Sequence, residues 1–114
     1  MKHITIIAPD NQTNLSTVAC IAGAYEILAR AGDYFKESGN KELFKVEIAG
    51  IASQAELADG LFSLKIHAPI SEIEKTDLII IPSLDSSFEK AQKGNISIVD
   101  WIVKHYKNGA EIAT

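Results

Sequence analysis

At residues 78–81 the chain reads Leu-Ile-Ile-Ile, four apolar residues without a break, three of them β-branched. Asp77 opens the run and Pro82-Ser83 ends it in a loop. An uninterrupted apolar run suits a strand buried on both faces, and such strands belong to parallel sheets covered by helices. Residues 3–8 (His-Ile-Thr-Ile-Ile-Ala) predict a first strand, stopped by the turn cluster Pro9-Asp10-Asn11. The period then changes. Ile21, Tyr25, Leu28, Ala31 and Phe35 step at threes and fours, as one face of a helix does. Asn14 or Ser16 can cap this helix, which is expected to run to about Ser38 with Gly39 beyond its end. Gly32 inside it costs about 1 kcal/mol relative to Ala.

Residues 43–51 alternate in part and predict a second strand. Residues 52–60 are small and polar, a loop or short hairpin. Residues 61–67 alternate apolar and polar, which suits a half-exposed strand near a sheet edge. Ser71-Glu72-Ile73-Glu74 fits the Ser-x-x-Glu capping box and predicts a short helix before the central strand. Ser86-Ser87-Phe88-Glu89 fits it again and opens a helix that Gly94 should close. Asn95 can cap the next helix, whose Val99, Ile102, Val103 and Tyr106 share a face. Asn108-Gly109 ends it. Residues 110–114 begin another strand.

The order β-α-β, edge segment, β-α-β predicts an α/β fold, a flavodoxin-like doubly wound and mostly parallel sheet with helices on both faces. The expected strand order is second, first, central, last. It reverses between the first and central strands, and a crevice opens at such a switch point, beyond the carboxyl ends of the strands. Its expected lining comes from residues 8–11 and 82–85. Asp10, Asn11, Ser83 and Leu84 are therefore the expected ligand-binding residues. A final strand should lead into a covering helix, so the chain is expected to be the front part of a longer domain, truncated at its C-terminal side. The last strand would then expose an unpaired edge and favour self-association, with a homodimer as the expected form.

Composition narrows the function. Eleven Lys and Arg against fifteen Asp and Glu give a net charge of −4, which argues against a free-standing nucleic-acid binder. Lys90, Lys93, Lys104 and Lys107 are expected on solvated helix faces. Cys20 is the one cysteine, so no internal disulfide is possible, in keeping with a reducing compartment. No apolar leader or membrane-length run occurs, and the expected location is the cytoplasm. His3, His67 and His105 fall on three elements with no metal-ligand spacing. They are expected at the surface or an edge, and no metal or cofactor is expected. Trp101 precedes core-facing Ile102, so partial exposure is expected there. Cys20 has two readings: a thiol activated near a helix start, or a small apolar residue facing the core, which is the commoner fate of free cysteine. Ser83 lacks a Gly-x-Ser-x-Gly setting, and a loop serine touching a ligand is the better reading.

Three stretches carry a resemblance. They are Ala22-Gly23-Ala24-Tyr25-Glu26-Ile27-Leu28, the segment 71–83, and Asn108-Gly109-Ala110-Glu111-Ile112-Ala113-Thr114. In order and spacing the chain resembles the ThiJ/PfpI superfamily, with its class I glutamine amidotransferase-like fold. More narrowly it resembles the N-terminal domain of GlxA-like AraC-family transcriptional regulators. The resemblance implies a cysteine nucleophile elbow just past Thr114. It aligns Cys20 with a carboxylate of the hydrolytic members, behind the crevice residues, and so adds Cys20 to the ligand-binding set. It also places Ser83-Leu84 where the enzymes carry a glycine pair after Pro82. A thiol does not supply a carboxylate's charge, and side chains crowd an oxyanion site. The resemblance thus implies a fragment of a non-catalytic domain that senses an unknown small-molecule effector and dimerises. No residue of this chain would be catalytic. DNA would be met only through a downstream helix-turn-helix domain absent here, and no membrane would be involved. The alternative is a cysteine hydrolase or glyoxalase-like enzyme whose nucleophile lies beyond the chain end.

Overall fold

The structure is a computed structural model and describes residues 1–84 and 88–114. Five strands form one parallel sheet: β1 (Lys2–Ile7), β2 (Phe44–Gly50), β5 (Ala68–Pro69), β6 (Leu78–Ile80) and β7 (Glu111–Ala113). Their spatial order is β5-β2-β1-β6-β7. The register pairs Ile4 with Val46 on one side of β1 and with Leu78 on the other. The fold is therefore α/β and flavodoxin-like, with β1 and β6 adjacent at the switch point, as expected from the two apolar runs.

Alternation along the strands divides the core in two. Ile6, Ala8 and Ile48 face α1 (Leu15–Glu37), which covers them with Ile21 and the half-buried Val18, Tyr25 and Leu28. Ile7, Ala49 and Ile79 face the other way, onto α3 (Ile96–Lys107) and the 3-10 turn Ile70–Glu72. Because side chains point alternately to opposite faces, the unbroken apolar run of β6 is what two covered faces require. Helix α1 starts where its cap dictates. The Asn14 side chain accepts from the Thr17 N–H at 3.1 Å, and the Thr17 hydroxyl accepts from the Asn14 N–H at 3.1 Å. Its end is set by Gly39, whose φ of +81° continues no helix.

Several expectations are corrected. Residues 61–67 do not join the edge of the main sheet. Strand β4 (Phe62–Lys65) pairs antiparallel with β3 (Gln54–Leu57) in a separate hairpin, and the two-residue β5 takes the edge beside β2. The hairpin buries Ala55 and Leu57 in the cluster that α1 covers. Ser71 caps nothing. Pro69 holds the N-cap position of the 3-10 turn, and no side chain bonds there. The Ser86–Glu89 capping box lies outside the described residues; the helix itself is α2 (Phe88–Gly94).

Helix α3 turns a different face inward. Ile98, Trp101 and His105 are buried, whereas Val103 and Tyr106 are exposed. Two apolar stripes overlap on this helix, and the sheet takes the one carrying the indole, which has the most area to hide. Trp101 and His105 are thus core residues, their ring centroids 4.3 Å apart. Burial holds the His105 pKa below its ordinary value, and Lys104 adds to the effect.

One carboxylate ties the start of β6 to β1. Asp77 Oδ2 accepts from the His3 N–H at 2.8 Å, while its own N–H donates to His3 O at 2.8 Å. The His3 N–H bond holds the Asp77 pKa below its ordinary value, with Lys2 and Lys75 assisting against desolvation. A depressed folded-state pKa means the contribution is present above the unfolded pKa and lost as pH falls through the folded one. Asp77→Asn keeps an acceptor but cannot titrate. Thermal melts taken from about pH 6 down to about pH 3 are expected to show a shallower acid loss for Asp77→Asn than for the parent.

Candidate functional site

The crevice forms where the chain leaves β1 and β6. Beyond β1, Ala8 and Pro9 are buried and Asp10 and Asn11 are exposed. The loop turns at Gln12, whose φ is +60°, and enters α1 through the Asn14 cap. It is held from both sides. On one side the Thr13 hydroxyl accepts from the Ala58 N–H at 3.0 Å, tying the loop to the β3–β4 hairpin. On the other side Asn95, only 6% exposed, takes over the backbone. Its Oδ1 accepts from the N–H of Asp10 at 2.6 Å and of Asn11 at 3.1 Å. Its Nδ2 donates to Asn11 O at 3.0 Å and to Ala91 O at 2.9 Å. Every polar atom of the amide is engaged, as burial demands.

Asn95 therefore does not cap α3 with its side chain, contrary to expectation. It holds the first loop to the α2–α3 junction. The neighbouring Gly94 is required for the approach, because a Cβ there would lie 2.8 Å from Asn11 Cβ. Asn11 Nδ2 also donates to Gly94 O at 2.7 Å.

Beyond β6, Ser83 is drawn to the first turns of α1. Its carbonyl accepts from the Thr17 hydroxyl at 2.7 Å, and its hydroxyl lies 3.5 Å from Cys20 Sγ. Cys20 is exposed, so its reading as a core residue is corrected. It sits one residue from Ile21, about 100° round the helix from the buried stripe. Hydrogen bonding from Ser83, through its backbone first and its hydroxyl second, holds the thiol below its ordinary pKa against a little desolvation. Leu84 is half-buried and lines an apolar cleft of about 250 Å³ with Pro9, Ile81, Ile98 and Val99.

The expected residues thus gather in two groups. Cys20 and Ser83 touch, with Thr17 beside them. Asp10 and Asn11 turn to Asn95. Among the described residues, which do not include Asp85, no hydrogen bond joins the two groups. Sequence reasoning missed Asn95, Thr17 and Thr13 as positioning residues. Asn14-x-x-Thr17 was readable as a reciprocal cap, but nothing local marks Asn95 as the anchor of the first loop, because its partners there, Asp10 and Asn11, lie 85 and 84 positions away.

No protein-family model matches the sequence, and no curated protein is significantly similar to it. Solved structures do match. A candidate transcriptional regulator from Vibrio parahaemolyticus aligns with a TM-score of 0.70 at 20% identity, over 98% of this chain and 54% of that one. A DJ-1 superfamily protein from Agrobacterium tumefaciens aligns at 0.55 and 14%, over 95% of this chain and 49% of that one. A candidate protease I from Bacteroides thetaiotaomicron aligns at 0.55 and 14%, over 98% and 61%. This chain spans about half the length of these structures. At such identities the likeness establishes the fold alone; one of these neighbours is described as a DJ-1 superfamily protein and another as a regulator.

Two outcomes follow from this geometry. Alkylation of Cys20 by iodoacetamide, followed on its peptide by mass spectrometry, is expected to titrate below an ordinary thiol. Ser83→Ala should raise that midpoint only in part, since the backbone contact stays. Asn95→Ala leaves the Asp10 and Asn11 N–H groups without their acceptor. It is expected to lower stability to urea by about 1–3 kcal/mol and to speed amide exchange at those two residues.

Proposed function

We propose that this chain is part of a non-catalytic domain that senses a small molecule and belongs to a transcriptional regulator. The observation that carries the reading is the contact of Cys20 Sγ with Ser83 Oγ at 3.5 Å. The resemblance puts a carboxylate at position 20, where it would share a proton with a nucleophile. A thiol beside a hydroxyl is a pair of weak neutral hydrogen-bonding groups. It suits recognition of a polar ligand better than proton transfer. Ser83 and Leu84 bring side chains where the enzymes need bare backbone, and Leu84 adds apolar surface instead. The regulator among the matching structures supports the same reading.

In its finer form the regulator is a GlxA-like member of the AraC family, located in the cytoplasm. Its effector is an unidentified small molecule met by Asp10, Asn11, Cys20, Ser83 and Leu84. The domain forms a homodimer, and DNA is bound by a separate downstream helix-turn-helix region. A second reading, a cysteine hydrolase or glyoxalase-like enzyme with its nucleophile past Thr114, draws on the protease-I-like neighbour and the lowered thiol pKa.

Enzyme assays separate the two. Loss of one oxyanion donor costs about a hundredfold or more in rate, and a missing acid or base costs about a hundredfold again. The full-length protein is expected to show no glyoxalase, amidase or esterase turnover. Cys20→Asp should not restore it while Ser83 and Leu84 remain. Robust turnover by the unmodified protein, abolished by changing a cysteine beyond Thr114, would replace the sensor with the enzyme.

A further inference from the structure

On the sheet face opposite α3, α1 and the β3–β4 hairpin enclose a groove of about 430 Å³. That volume lies within the range of about 300–1,000 Å³ usual for small-ligand sites. Its walls are apolar, with Val18 and Ala22 from α1 and Phe62 and Leu64 from the hairpin. Tyr25, Glu26, Ser63, Lys65 and His67 complete its lining, Lys65 at the exposed end of β4, on the face away from Phe62 and Leu64, so that its ammonium reaches the groove only at the rim. This groove is separate from the crevice at the strand ends and contains none of the residues assigned there.

The orientation and tautomer of the His67 ring follow from the backbone. Its Nδ1 accepts from the Ile48 N–H at 2.9 Å, and its own N–H donates to Ile48 O at 2.9 Å. A ring nitrogen that accepts from an amide carries a lone pair, so in the neutral ring the proton sits on Nε2. The two nitrogens diverge across the ring. Holding Nδ1 on β2 therefore turns the Nε2–H away from the sheet. The Tyr25 ring packs against the imidazole at 5.2 Å between centroids and helps hold its plane. Among the described residues nothing accepts from that Nε2–H, and nothing pairs with the Lys65 ammonium. The one carboxylate at the margin, Glu26, is taken by Arg30 one helical turn on.

The groove thus offers an apolar floor, a preset N–H donor and an unpaired cation at its rim, with Glu26 turned to Arg30. We propose that it binds a small organic carboxylate with an apolar body, the carboxylate meeting His67 Nε2–H and Lys65 and the body lying along Val18, Ala22, Phe62 and Leu64. Charge-assisted bonds to a carboxylate are short and strong, which gives the site its preference for acids.

Calorimetric titration of the full-length protein with phenylacetate, and with 2-phenylethylamine as the cationic counterpart of equal bulk, tests this. Phenylacetate is expected to bind and the amine not to bind. Lys65→Met removes the cation from an exposed position. His67→Asn keeps an acceptor for the Ile48 N–H while removing Nε2. Each should weaken phenylacetate by about tenfold or more. Ser83→Trp, which fills the crevice, should leave that affinity unchanged. The proposal is overturned if phenylacetate fails to bind at millimolar concentration or if the amine binds equally well. It is also overturned if neither groove variant weakens the acid, or if Ser83→Trp abolishes its binding.

Discussion

Strand β1 has no free side. Both of its edges are paired, to β2 and to β6, and Ile4, Thr5, Ile6, Ile7 and Ala8 are at most 6% exposed. Every backbone group must then be satisfied within the sheet, and every side chain must fit a covered face. The strand can therefore offer chemistry only where it stops. That confines the first crevice to the loops after Ile7 and Ile80. It also explains why those loops are held by side chains from elsewhere, Asn95 and Thr17, and not by further sheet pairing.

The two proposed binding regions share that frame but use it differently. At the strand ends the polar groups are spent on holding backbone: Asn95 is fully engaged, and Thr17 is committed to the Ser83 carbonyl and the Asn14 cap. What remains toward solvent is the thiol of Cys20 and the hydroxyl of Ser83 on one side and the exposed side chains of Asp10 and Asn11 on the other. Beside the hairpin the balance is reversed, because one backbone bond from Ile48 frees the opposite nitrogen of His67. The same loop touches both regions, since Thr13 bonds the hairpin at Ala58 while Asp10 and Asn11 bond Asn95. Residues 10–13 are thus anchored at one end to Asn95 and at the other to the hairpin.

Much of this fold was legible in the sequence because its signals are local. The unbroken run at 78–81, the β-rich start and the threes and fours of α1 each name one element and one burial pattern. The hairpin was less legible. Its turn uses Ala58 and Asp59 at φ of +54° and +55°, positions usually marked by Gly or Asn, and β3 reads Gln-Ala-Glu-Leu with no β-branched residue. Helix α3 defeated the face reading because both of its stripes are apolar and only the sheet decides between them. In the site, Ser83 and Leu84 were marked by their place after a buried strand. Cys20 was placed beside Ser83 by resemblance, but its exposure was not foreseen. Asn95 could not be found, because its role exists only once residues 84 and 85 positions apart meet.

The contrast between hairpin and sheet also bears on how the chain reaches this state. The β3–β4 pairing closes a turn of a few residues, and hairpins of that kind form in about 1–10 μs. The β1–β6 contact joins residues 74 positions apart, as the His3–Asp77 bond shows. No parallel pair here can form before the chain between its strands has crossed back over the sheet. Loop closure on that scale is what slows folding in proteins dominated by distant contacts. On contact order alone, the hairpin and α1 are the local part of the molecule, and β1 with β6 is its most distant strand pairing.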